Sequence, residues 1–148
     1  ALARGLAQGF AMANDLGVLA HLPRMGTVQT QSCAPLNRAW ERLGNLSFEE
    51  AARQRKNFMW PWETAPHSIA HGILDDETYD WFEIAKGMRN SGGYPVIVGE
   101  DTLKRAHELG NRETSIVVSA TGTSGFAGLL ASTADYKEVC VIFSGFEQ

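Results

Sequence analysis

The sequence predicts an α/β chain: a mostly parallel sheet covered by helices on both faces. Apolar runs at Tyr94–Val98, Ile116–Val118 and Val139–Phe143, with a short strand pattern at Met25–Gln29, alternate with helical patterns. Such runs, apolar throughout rather than every second residue, are expected of strands buried on both sides. The stretch Ser119–Leu130 is hydroxyl-rich and punctuated by glycine, and it leads from one apolar run into an apolar helix pattern. A strand passing through Thr-Gly-Thr into a helix start brings backbone N–H groups and hydroxyls where a cofactor or anion can approach closely. With 148 residues the chain is long enough for a core of its own, and it shows no internal repeat or low-complexity tract.

The elements follow in order. Ala1–Leu16 reads as a helix in which Ala1, Gly5 and Gly9 lie four apart, a nearly bare face suited to close packing on a sheet. Gly17 is its expected stop. After the strand at Met25–Gln29, a helix is expected from Ser32 or Cys33, with Pro35 in its first turn, to Gly44. Phe48–Arg53 suits one polar helix. Phe58-Met-Trp-Pro-Trp62 crowds large apolar side chains into a loop, to serve as a core plug, a subunit contact or the wall of a substrate mouth. In the next helix Asp75-Asp-Glu77 is expected in the first turn, Tyr79, Phe82 and Ala85 on the buried stripe, and Gly92-Gly93 at the end. Tyr94–Val98 follows as a strand, then a helix from Glu100 to Gly110 with Leu103, Ala106 and Leu109 inward.

Composition narrows the function. The net charge is −4 and the basic residues are scattered, which argues against nucleic acid and anionic membrane as partners. No apolar run approaches the roughly 20 residues of a membrane span, and Arg4, Gln8, Asn14 and Asp15 interrupt the Ala-rich opening, so it is neither span nor signal peptide. Cys33 and Cys140 are far apart and read as free thiols in a reducing, cytoplasmic compartment, with a disulfide between them left open. The chain opens at Ala1 inside a helix, and is expected to be the later part of a longer polypeptide or one half of a split one.

Several stretches together resemble the C-terminal half of threonine synthase-like enzymes, the pyridoxal-phosphate enzymes of the tryptophan synthase β fold type. They are Ala1-Leu-Ala-Arg-Gly-Leu-Ala7, Val28-Gln-Thr-Gln-Ser-Cys-Ala-Pro-Leu36, Ser68-Ile-Ala-His-Gly-Ile73, Thr121-Gly-Thr-Ser-Gly-Phe-Ala-Gly128 and Phe143-Ser-Gly145. The resemblance implies pyridoxal 5'-phosphate as cofactor, with the Thr121 hydroxyl facing its pyridine nitrogen. There a neutral hydroxyl leaves the ring largely uncharged, which suits elimination and replacement; the protein tunes electronics and the cofactor breaks the bond. Gly122 is expected to let the backbone approach the ring and Thr123 to add a second hydroxyl. Ala1 and Leu2, at the start of the first helix, are expected at the phosphate. The plainer alternative has Thr121 only capping the helix that follows.

In such enzymes the Schiff-base lysine lies in the N-terminal half, and none of Lys56, Lys86, Lys104 or Lys137 has its context. This chain is therefore expected to hold part of a cofactor pocket and no nucleophile. The implied function is elimination or replacement on an amino acid, either threonine synthase-like (O-phosphohomoserine to threonine) or as a serine/threonine dehydratase-type ammonia-lyase. The implied partners are a small amino-acid substrate and a homo-oligomer or the missing N-terminal half. The contrasting class is a non-catalytic α/β module that binds a partner. His67 and His71, four apart, are expected to share a helix face; with no third ligand in place they read as surface or pocket-edge residues rather than a metal site. Cys33 reads as a small buried residue, not a nucleophile.

Overall fold

The computed structural model describes residues 2–146. The fold is α/β, with helices and a parallel pair of strands, as expected. In chain order the elements are α1 (Leu2–Asp15), β1 (Thr27–Thr30), α2 (Pro35–Leu43), α3 (Phe48–Ala52), α4 (Trp81–Ser91), β2 (Pro95–Val98), α5 (Glu100–Glu113) and α6 (Ser124–Ala131). Single 3₁₀ turns occur at Arg55–Asn57 and His71–Ile73. The chain divides into two compact units, one of residues 1–27, 35–61 and 77–95, the other of residues 28–34, 62–76 and 96–148.

The first unit is built on α2 and α4. Leu36, Ala39 and Leu43 from α2 meet Trp81, Ile84, Ala85 and Met88 from α4, all buried. The i, i+3, i+4 spacing of both sets gives each helix one apolar stripe. The aromatic loop plugs this core: Phe58 and Met59 are buried, and Phe58 stacks on Trp81 with ring centroids 5.3 Å apart. Trp60 lies under the guanidinium of Arg38, 3.7 Å from its ring centroid, a cation–π contact. Helix α4 begins later than the acidic run suggests. Glu77 is drawn to Arg55 at 3.1 Å and Asp80 to Arg4 at 3.0 Å, so Asp75-Asp-Glu77 precede the helix rather than enter its first turn. Tyr79, expected on the buried stripe, falls before the helix and is 80% exposed. Gly92 ends α4 in the left-handed region at φ 70°, its N–H donating to the carbonyls of Met88 and Arg89.

Helix α1 packs on α4 through Ala3 and Ala7, opposite the side expected from its glycines. A Cβ added at Gly5 or Gly9 would meet no atom of another element within 4 Å. The close approach is made instead at Gly87 of α4, where an added Cβ would lie 2.6 Å from that of Ala7.

In the second unit β1 and β2 pair, and Val28, Val96 and Val98 pack with Leu103 and Ala106 of α5 and Ala127 of α6. Leu109 is half-buried, while Gly110 is fully inward. The two other expected strands do not form as regular strands. Ile116 and Val117 are more than half exposed, as is nearly half of Val139. Val118 alone is buried, and the side chain of Asn111 accepts from its N–H at 3.0 Å and donates to its carbonyl at 2.9 Å. A side-chain amide thus takes the place of a strand partner. Val118 then makes a single antiparallel bridge with Phe146.

Candidate functional site

The glycine-hydroxyl stretch forms a tight knot ahead of α6. Ser119 N–H donates to the Gly145 carbonyl at 3.1 Å, and the Ser144 N–H reaches the Gly122 carbonyl at 3.4 Å. These bonds tie the Thr121–Gly128 motif to the Phe143–Gly145 segment. The Ser119 hydroxyl accepts from Gly122 N–H at 3.0 Å. A Cβ on Gly122 would overlap the Gly145 carbonyl oxygen and lie 2.6 Å from a methyl of Val118, so two backbones pass where a side chain would sit.

Within this knot the three hydroxyl-bearing neighbours have different duties. Thr123 is fully buried and its hydroxyl lies 3.2 Å from the Ala120 carbonyl and 3.3 Å from that of Ser119, to which it donates. Ser124 donates its hydroxyl to the Thr121 carbonyl at 2.8 Å. Thr121 itself is half-buried and does not cap α6, whose N-cap is Thr123 with no side-chain capping bond. Its Oγ1 accepts from the N–H of Gly72 at 3.0 Å. Among the described residues no acceptor takes the Thr121 hydroxyl proton.

A cavity of about 810 Å³ opens beside Thr121. It is lined by Ile69, His71 and Gly72 from one loop, Lys104, His107 and Glu108 from α5, Ser119 and Ala120 from the knot, and Phe146. The loop is held to α5 by the Glu100 carboxylate, which accepts from Ile69 N–H at 2.7 Å. Further along it the Ser68 hydroxyl accepts from Ala70 N–H at 3.1 Å. Two of the stretches singled out in the sequence, Ser68–Ile73 and Thr121–Gly128, therefore contribute to the lining, and Phe143–Gly145 is bonded to the knot behind it.

Among the described residues no other expected cofactor-site residue lines this cavity. Gly122 and Thr123 are buried in the knot and do not line the cavity. Leu2 opens α1 in the first unit and is 54% exposed; Ala1 lies outside the described residues. His67 and His71 do not share an α-helical face, because the segment is an extended loop ending in a 3₁₀ turn. Among the described residues no group of three or more His, Cys, Asp or Glu is placed to hold a metal. Cys33 is buried with its thiol 3.2 Å from the Asp75 carbonyl, and Cys140 is exposed; neither is in a disulfide.

All four lysines are exposed. Lys104 borders the cavity, but its side chain is 55% exposed and its nearest acid, Asp101, is 3.9 Å away. It lacks the buried, apolar surroundings that activate a nucleophilic lysine. Gly72, Lys104, His107 and Glu108 were not legible as cavity residues. The helical spacing of 104, 107 and 108 marks one face of α5, and nothing local says what that face borders.

No family model matches the chain, and no curated relative does. Among solved structures it is similar to a T.th. threonine deaminase, at 21% identity and a TM-score of 0.44, over 82% of this chain. The chain spans 44% of that protein's length. No helix among the described residues is long and apolar enough to cross a membrane.

Proposed function

We propose that the chain is part of a pyridoxal 5'-phosphate-dependent lyase or synthase that acts on an amino acid by elimination or replacement. The observation that carries this is Thr121: its oxygen is anchored by the Gly72 N–H at 3.0 Å, and its proton remains available beside a cavity of about 810 Å³. A hydroxyl has one proton to donate and two lone pairs. With one lone pair engaged, the group suits an acceptor such as an unprotonated heteroaromatic nitrogen, so the residues present fit the cofactor's ring. When bound, the cofactor supplies the electron sink for bond breaking at the amino acid. This chain's part is to hold a neutral donor at the ring nitrogen and to wall one side of the pocket with the His71–Ile73 turn and α5.

In this reading the covalent lysine and the substrate-carboxylate contacts come from residues outside this chain, in a longer polypeptide or a partner segment. The assembled enzyme is a cytoplasmic homo-oligomer. The threonine synthase-like and ammonia-lyase alternatives share the Thr121 site and differ in those outside contacts. Leu2 and Ala1 would serve the cofactor phosphate only in that assembly.

The test uses pyridoxine 5'-phosphate, which has the ring and phosphate but no aldehyde. Binding to this chain is expected, and Thr121→Val should weaken it about 2- to 10-fold, the worth of one hydrogen bond. Thr121→Ser should retain it. Equal binding by the Val variant, or none by the unmodified chain, would overturn the assignment.

A further inference from the structure

We infer that Gly72 is a positioning residue: it sets the rotamer of Thr121 and so aims the Thr121 hydroxyl proton into the cavity. Two independent features of the turn require this. Its N–H donates to Thr121 Oγ1 at 3.0 Å, which anchors the oxygen. Its missing side chain provides the room, since a Cβ there would lie 2.8 Å from Thr121 Cγ2 and 3.0 Å from Oγ1. Real Cβ atoms do not approach so closely, and a threonine side chain escapes by rotating about χ1 to another staggered well. Any side chain at 72 therefore turns the hydroxyl away from where it now sits.

The turn is itself held in place from α5. Glu100 accepts from Ile69 N–H at 2.7 Å, and the Ile73 N–H closes on the Ala70 carbonyl at 3.1 Å, so the Gly72 N–H does not swing freely. Occupying one lone pair of Thr121 also biases the hydroxyl toward donating. Gly72 thereby selects a ligand that presents an acceptor at this point over one that presents an N–H. What Thr121 serves rests on the proposed function; the Gly72–Thr121 contact lies in this chain alone.

The test has two arms on the isotope-labelled chain. In the first, solvent exchange of the Gly72 amide is measured by NMR. Thr121→Val removes the acceptor and should speed exchange about 2- to 10-fold, whereas Thr121→Ser should keep the original rate. An unchanged rate in the Val variant overturns the inference. In the second, Gly72→Ala should shift the Thr121 methyl resonance and weaken pyridoxine 5'-phosphate binding as much as Thr121→Val does. The double variant should be no weaker than either single one, because both remove the same contact. Losses that multiply overturn the positioning role. Failure of the unmodified chain to bind the analogue sinks the cofactor reading, and the exchange arm and the methyl shift still decide the role of Gly72.

Discussion

Thr121 differs from its neighbours in where its polar atoms go. Thr123 donates to a backbone carbonyl, and Gly122 has no side chain, whereas Thr121 keeps a proton with no acceptor among the described residues. Gly122 is buried away from the cavity lining, and its glycine identity is required by the packing around it. A Cβ would meet the backbone nitrogen of Gly145 at 2.7 Å and a methyl of Val118 at 2.6 Å, and backbone atoms cannot rotate aside. Gly122→Ala is expected to destabilise the second unit by about 1–3 kcal/mol through overpacking, measured as a lower urea midpoint. A midpoint equal to that of the unmodified chain would count against the packing of Gly122 on Gly145. The glycine was legible in the sequence as a position of close approach. What approaches it was not, because Gly145 lies far along the chain and only folding brings it there.

At the scale of elements, boundaries are set by who holds the polar side chains. Ser47 caps α3 in a reciprocal box: its hydroxyl accepts from Glu50 N–H, and the Glu50 carboxylate accepts from the Ser47 N–H. The Ser47 hydroxyl first, and its backbone N–H second, hold the Glu50 carboxyl below its ordinary value of 4.5. A carboxyl depressed in the folded state contributes stability above its unfolded pKa and loses it as pH falls through the folded one. The stability gap between the unmodified chain and Glu50→Gln should therefore be constant at neutral pH and close on acidification below 4.5. Urea midpoints taken across that range check this, and a gap that widens with acid would refute it. At the other end of the scale of caps, Gly92 sits at φ 70°. Gly92→Ala should cost about 1–2 kcal/mol, the left-handed penalty for a residue with a Cβ, read from thermal or urea unfolding. The glycine stop of α4 could be read from sequence. The start could not, because Arg55 and Arg4 draw Glu77 and Asp80 to partners that are 22 and 76 positions away.

Across the whole molecule, burial rather than propensity sorts the apolar runs. Leu103 is fully buried among Val98, Ala106 and Ala127, and Leu103→Ala should cost about 2–5 kcal/mol as a cavity forms. Calorimetry or urea unfolding measures the loss, and faster amide exchange in α5 and α6 would locate it. By itself the sequence determined the α/β class and the existence of three helices and two strands, expected at 1–16, 32–44, 100–110, 25–29 and 94–98 and formed at 2–15, 35–43, 100–113, 27–30 and 95–98. Their periodicity and their glycine and proline punctuation act within a few residues. Ile116–Val118 and Val139–Phe143 show how far such a signal reaches. They have the composition of buried strands, but a strand needs a neighbour for its N–H and C=O groups, and composition names none. Tertiary structure alone decided that Asn111 would satisfy Val118, that Gly72 would meet Thr121, and that α5 would wall the cavity. Each of these is a contact between distant positions whose side chains carry no mark of the partner until packing brings the two together.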